Sequence, residues 1–279
     1  MELNGENAKL TPRVRLGRRL RRLRERKGLS LRQLSERVSG YSHSYLGRVE
    51  LGEQLPSEAL VNSLDEFFDT DGVLAELLDL AHDALIPDYI RKVFAMEPEA
   101  ERLQVYTSSV IPGLLQIPEY TLELFRRSLP GETEERRGER VVIRMKRQRI
   151  LERAEPPYYW AIIDEAALRR LIGKPACMAE QLRHLLEFSA RPHVTVQVLP
   201  FGKGAHPMLG GSLTLHARPD GTSIAVVESF GSGELIESPR RVLDLTQRFD
   251  TARSLALTDD ESLDLIRNYL KEYEVDDDS

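Results

Sequence analysis

Leu16, Leu20 and Leu23 recur at i, i+4 and i+7 within RVRLGRRLRRLRERK, a stretch otherwise crowded with arginine. That spacing predicts a helix over 13–27 with a single apolar stripe. Leu31, Leu34 and Val38 continue at helical spacing behind Ser30, a natural N-cap. Ser39-Gly40 breaks the pattern, and another helix is predicted from Ser42, turning Leu46 and Val49 inward and ending at Gly52. Two apolar-faced helices joined by a short turn, the second opening on small polar side chains, have the layout of a helix-turn-helix. Beyond Pro56, Leu60, Leu64, Phe67 and Phe68 repeat the helical spacing behind Ser57. Leu74, Leu77, Leu78 and Ala81 mark a further helix from Gly72 to Leu85, halted at Ile86-Pro87.

The period changes in the second half. Val105, Tyr106 and Val110 alternate as in a strand, YYWAIID reads as a buried strand, and VTVQVLPF as a half-buried one. SLTLHARPDGTSIAVVES is a hairpin signal, two β-rich runs around Pro-Asp-Gly, and ELIES can add a strand. Helices are predicted from Pro118 to Leu129, through GETEERRGERVVIRMKRQRILER, over DEAALRRLIG with Asp164 as cap, and over CMAEQLRHLLEFSAR. Two more, from Arg240 to Leu255 and from Asp259 to Tyr273, precede the acidic tail EVDDDS. The fold class is therefore multidomain, with an all-α helix-turn-helix domain followed by a mixed α/β domain. Residues 1–85 form the first, residues 104–279 the second, and the charged, Pro-containing segment 86–103 is expected to connect them.

Two resemblances sharpen this. LGRRLRRLRERKGLSLRQLSERV, SHSYLGRVELG and LPSEALVNSLDEFF, across residues 14–68, resemble the Xre (phage-repressor-like) helix-turn-helix family. The resemblance implies that Arg24 and Glu50 form a structural pair tying the first helix to the third. It also implies that His43, Ser44 and Arg48 match base-contacting positions. Leu31 departs from it, standing where relatives often have a phosphate-contacting glutamine, and Glu53 falls in a loop that is often basic. Residues 103–270 are similar to the uncharacterised C-terminal domain joined to Xre-type heads in actinobacterial, WhiJ-like regulators. The matching words are SSVIPGLLQIPEY, DEAALRRLIG, QLRHLLEFSARPHVTVQVLPF and GAHPMLGGSLTL. Such regulators are often encoded beside a small partner protein, so this resemblance implies a possible partner on the C-terminal domain.

Charge is spread unevenly along the chain. The chain of 279 residues carries a net charge of −6. Residues 12–55 nevertheless hold twelve basic against four acidic side chains, whereas residues 56–279 are net −13. A basic head on an acidic body is expected where only the head meets a polyanion. Phosphate contacts are accordingly assigned to Arg15, Arg18, Arg19, Arg22, Ser30, Arg32 and Gln33. Base contacts are assigned to Ser42, His43, Ser44, Tyr45 and Arg48, because the N-terminal turn of the recognition helix enters the major groove. No apolar run approaches the ~18 residues of a membrane span, the N-terminus lacks a signal-peptide core, and the lone Cys177 fits a reducing cytoplasm.

Catalytic chemistry is poorly represented. FGKGAHPMLGGS, from Phe201 to Ser212, lacks the spacing of a P-loop, and Met208 stands where a His-x-Lys phosphodiesterase would need lysine. The six histidines show no metal-ligand spacing, so no metal, cofactor or catalytic residue is expected. Lys203, His206 and Glu228 are the candidates for a ligand or partner site. The reading is a non-enzymatic, cytoplasmic transcriptional regulator that binds double-stranded DNA as a homodimer on an inverted repeat, its C-terminal domain taking a small-molecule effector or a partner protein. The competing readings are an enzyme or nucleotide-responsive body tethered to DNA, and an antitoxin-like component of a two-gene pair.

Overall fold

Pro12 opens α1 (Pro12–Arg26), where its missing N–H removes no helical hydrogen bond. Leu16, Leu20 and Leu23 are buried along its inner stripe. Between them Gly17 lets α1 approach α3 (His43–Leu51), since a Cβ there would stand 2.4 Å from the Val49 carbonyl oxygen. Between these two lies α2 (Leu31–Arg37), held by a capping box in which Ser30 and Gln33 satisfy each other's backbone N–H groups. Ser42 caps α3 by accepting from Tyr45 N at 3.1 Å, and Gly52 closes it with φ +72°. α4 (Glu58–Phe68) and α5 (Val73–Asp83) complete the helical set. Gly72 offers α5 no side-chain cap, and Asp65 on α4 supplies one by accepting from the Leu74 and Ala75 amides at 2.9 Å each.

The computed structural model describes residues 11–229 and 232–277. Residues 1–10, whose polar composition argues against a signal peptide, lie outside them. The chain divides into two units: one extends to Pro87 and includes Thr133–Arg140, and the other holds Asp88–Glu132 and Val141–Ser279.

The expected connecting segment 86–103 is instead largely built into the second unit. α6 (Asp88–Met96) buries Ile90 and Val93 and packs on the last strand, because its apolar residues recur on one face despite the charges between them. The sheet of that unit has the order β3-β2-β1-β4-β5-β6. Its strands are β1 (Arg102–Thr107), β2 (Tyr158–Asp164), β3 (Val194–Leu199), β4 (Ser212–Ala217), β5 (Ser223–Ser229) and β6 (Ser232–Ile236). β1, β2 and β3 run parallel, and β4, β5 and β6 are added antiparallel to β1.

Alternation along the strands makes two cores. Leu103, Val105, Ala161, Ile163, Val196 and Val198 face one core. It is shared with α7 (Pro118–Ser128), α10 (Pro175–Ser189) and α12 (Asp259–Asp277). Tyr106, Ile162, Leu213, Leu215 and Ala225 face the other, closed by Phe249 and Ala252 of α11 (Pro239–Leu255). α8 (Glu134–Gln148) begins in the first unit and ends in the second.

Two further expectations are corrected. α9 covers only Glu165–Arg169 rather than the whole of DEAALRRLIG, and the Tyr273 hydroxyl donates at 2.9 Å to the Leu168 carbonyl that a longer helix would use. α12 continues through Asp277, into the residues expected to form a tail.

Candidate nucleic-acid interface

Burial of Leu46 and Val49 turns the opposite side of α3 outward. Ser42, His43, Ser44 and Arg48 are all exposed there, in the first turns after the cap. In helix-turn-helix proteins base edges are read from this end of the second helix of the motif, and an arginine one turn along can bond a guanine edge twice. Tyr45 is different. Its ring is half-buried and stacked on Tyr41 at 5.7 Å, and its hydroxyl donates to the Leu55 carbonyl at 3.3 Å. Burial holds its phenol above the ordinary range. The Tyr45 side chain, assigned to base contact, is thus packed in part, with its hydroxyl held by the Leu55 carbonyl.

Arg15, Arg18, Arg22 and Arg32 are exposed, and Arg19 is half-buried. Among the described residues none of the five has a carboxylate within ion-pair range. Ser30 and Gln33, also assigned to phosphate, are exposed but engaged in the capping box of α2. Arg24 behaves otherwise. Its Nε and Nη2 donate to the two oxygens of Glu50 at 2.6 and 2.8 Å, and Nη1 donates to the Leu29 carbonyl at 2.8 Å. The Glu50 hydrogen bond is the main reason the Arg24 guanidinium is held above its ordinary range.

The start of α8 also belongs to this unit. Glu139, 8% exposed, accepts from Arg13 Nη2 at 2.9 Å and from the Leu55 amide at 3.0 Å. Nothing local in the sequence announces this, since the donors lie 126 and 84 residues away.

Comparison with known protein families adds two matches. Residues 90–268 match a domain of unknown function, DUF5753. The chain belongs to the DUF5753 family. Ahead of that domain, residues 15–78 match a helix-turn-helix domain, so the helical head is a DNA-binding module of that type. No curated protein and no solved structure matches the chain. No helix among the described residues is long and apolar enough to cross a membrane.

Within the DUF5753 domain, Lys203, His206 and Glu228 do not form one site. Lys203 is exposed on a short 3-10 turn. His206 is buried, its Nδ1 accepting from the Met208 amide at 3.3 Å and its Nε2 lying 3.5 Å from Asp164 Oδ2. The Tyr106 hydroxyl donates to the same carboxylate oxygen at 3.4 Å. His206 thereby anchors its glycine-rich loop to the ends of β1 and β2. Asp164 also caps α9, accepting from the Ala166 amide at 2.9 Å, as its place before DEAALRRLIG predicts. Glu228 lies on the opposite face of the sheet, where strand alternation places it beside Ser212.

Sequence reasoning missed the polar residues around Glu228. Arg144 and Arg147 belong to a predicted helix of mixed charge, and both are part-buried. Burial draws the Arg144 guanidinium down to about 10, and burial likewise raises the Glu228 carboxyl above its ordinary range. His216, 2% exposed on β4, has no hydrogen-bond partner for either ring nitrogen among the described residues. Burial draws it down to about 4. The only hint in SLTLHARPD was a histidine at an alternating position of a strand.

The lowered His216 value has a definite sign. The folded ring stays neutral where an unfolded one, titrating near 6.5, takes up a proton. Its contribution is complete above pH 6.5 and is lost as pH falls from there to about 4, by roughly 3 kcal/mol at most. Urea midpoints measured across that range are expected to fall more steeply for the native chain than for His216→Phe. Parallel curves would contradict a neutral buried imidazole.

Proposed function

We propose that the protein is a sequence-specific transcriptional regulator of the Xre type, binding an inverted repeat in duplex DNA as a homodimer. One observation carries this reading: Ser42, His43, Ser44 and Arg48 stand exposed at the start of the third helix of a basic helix-turn-helix head. One short helix reads too few base pairs for useful specificity, and two half-sites about 34 Å apart double the contacts. The DUF5753 domain acts by binding rather than turnover, taking an effector or a small partner protein and so altering affinity for the operator. Glu139 and Arg140 reach the head from α8, which gives the later part of the chain a direct hold on the module that meets DNA.

The test is a mobility-shift titration on duplexes selected from genomic DNA. His43→Ala with Arg48→Ala is expected to weaken selected duplexes by about tenfold or more, at roughly 1–3 kcal/mol per lost base contact. Binding to random duplex should change far less. Equal loss on both would mean that these side chains contribute only to backbone attraction.

A further inference from the structure

The helical head includes a segment from outside its own stretch of sequence. Thr133–Arg140, at the opening of α8, belongs to the same unit as the residues up to Pro87. It is attached at the loop after α3, and Glu139 makes the attachment. One oxygen of that carboxylate accepts from Arg13 Nη2 at 2.9 Å and from the Leu55 amide at 3.0 Å. The other oxygen is buried without a partner among the described residues. An unmet buried oxygen lowers stability, so stability alone does not account for a carboxylate at this place.

Both donors lead back to the exposed polar side of α3. Leu55, whose amide goes to Glu139, accepts the Tyr45 hydroxyl on its carbonyl at 3.3 Å, and Tyr45 is the neighbour of Ser44. Arg13 Nε donates to the Gly52 carbonyl at 2.7 Å, and its Nη2 also to the Glu53 carbonyl at 3.0 Å. The Glu53 amide in turn donates to the Arg48 carbonyl at 2.9 Å. On its other side Gly52 has no room, since a Cβ there would stand 3.1 Å from Val14 Cα. The loop is thus gripped between the start of α1 and Glu139, and α3 is tied to it at Tyr45 and at Arg48. Burial of Leu46 and Val49 holds α3 to the head, but apolar contact has no direction. Hydrogen bonds have one, and these set how far α3 can tilt or turn about its axis.

We propose that Glu139 is a positioning residue for base readout, setting the tilt and rotation of α3 through Leu55 and Arg13. The DNA-reading module is then discontinuous in sequence, residues up to Pro87 together with Thr133–Arg140. Reading a base edge requires donor and acceptor to be placed within about 0.5 Å. Attraction to phosphates tolerates larger displacements and carries no sequence information. Loss of Glu139 therefore costs discrimination between sequences rather than affinity for duplex as such. This inference rests on the regulator reading and assigns the start of α8 a part in operator recognition.

Mobility-shift titrations of the full chain on a selected and a random duplex, at one salt concentration, test it through the ratio of the two affinities. Changes in charge or in the folded fraction move both affinities together, so the ratio isolates placement. Glu139→Ala is expected to lower the ratio about tenfold, the discrimination carried by roughly one base contact. Glu139→Gln, which keeps an acceptor for the Leu55 amide but loses the charge facing Arg13, should lower it less. Glu53→Gln removes an exposed carboxylate from the same loop without touching these hydrogen bonds, so both affinities should rise alike and the ratio stay. Adding Tyr45→Phe to Glu139→Ala should lower the ratio little further, because both cut one path. Without DNA, hydrogen exchange at Leu55 and along α3 should be about tenfold faster in Glu139→Ala, with α5 unchanged. That measurement also shows whether the head stays folded, and if it does not, Glu139→Gln carries the test. An unchanged ratio in folded variants, or equal loss on both duplexes, overturns the proposal and leaves the regulator reading standing. A native chain that prefers no duplex overturns both, so the native control tells the two failures apart.

Discussion

Raising salt from 50 to 200 mM is expected to weaken binding to the selected duplex by about 10³- to 10⁵-fold. Each arginine that neutralises a phosphate releases condensed counterions, so the logarithm of affinity falls linearly with the logarithm of salt at about −0.9 per contact. Arg15, Arg18, Arg19, Arg22 and Arg32 give five such cations per head, none held by a carboxylate among the described residues. One head alone then gives a slope of about −4.5 and two heads about −9, so the titration also counts subunits on the duplex. Arg22→Gln should flatten a two-headed slope by about 2 and leave preference among sequences nearly unchanged. A slope near zero would leave the basic head without a polyanionic target.

The same head shows how much a sequence discloses and where it stops. The Leu16, Leu20 and Leu23 stripe, the Ser30, Ser42 and Ser57 caps and the Gly52 stop were all legible, because each depends on neighbours within about one helical turn. The expected pair of Arg24 and Glu50 came from resemblance rather than spacing, and it is present. Asp65 was not legible as the cap of α5, because its partners lie nine and ten residues on, across a turn. The hold of the Leu55 carbonyl on the Tyr45 hydroxyl was not legible either, because it is fixed by how a loop folds back.

In the second unit the strands could be read from alternation, yet their order could not. Alternation puts Glu228 on the face opposite His206, and the order β3-β2-β1-β4-β5-β6 sets which strands lie beside it. The long helix expected over 131–153 is present as α8 from Glu134 to Gln148, with a 3-10 turn at Arg149–Glu152 after it. What composition hid is that Glu139 serves the head while Arg144 and Arg147, five and eight residues later, serve the DUF5753 domain. A helix of mixed charge looks solvated all round when its partners are distant in sequence.

Glu50→Ala is expected to destabilise the head by about 3–5 kcal/mol, a greater loss than truncating any exposed residue of α3 would cause. The Glu50 side chain is 5% exposed and that of Arg24 12%, so neither charge has much water to fall back on. With the carboxylate gone, the guanidinium keeps the Leu29 carbonyl and a distant Glu25 oxygen at 3.8 Å. Those are too little to offset a buried cation, and relief requires α1 and α3 to separate. Hydrogen exchange of the full chain localises the effect: amides of α1 and α3 should exchange about 10²- to 10⁴-fold faster, with those of β1 and β2 unchanged. Arg24→Leu combined with Glu50→Leu should recover most of the loss, because removing both charges leaves nothing uncompensated. A single variant within 1 kcal/mol of the native head, or a double variant no better than the single, would show that the pair orders the two helices without holding them together.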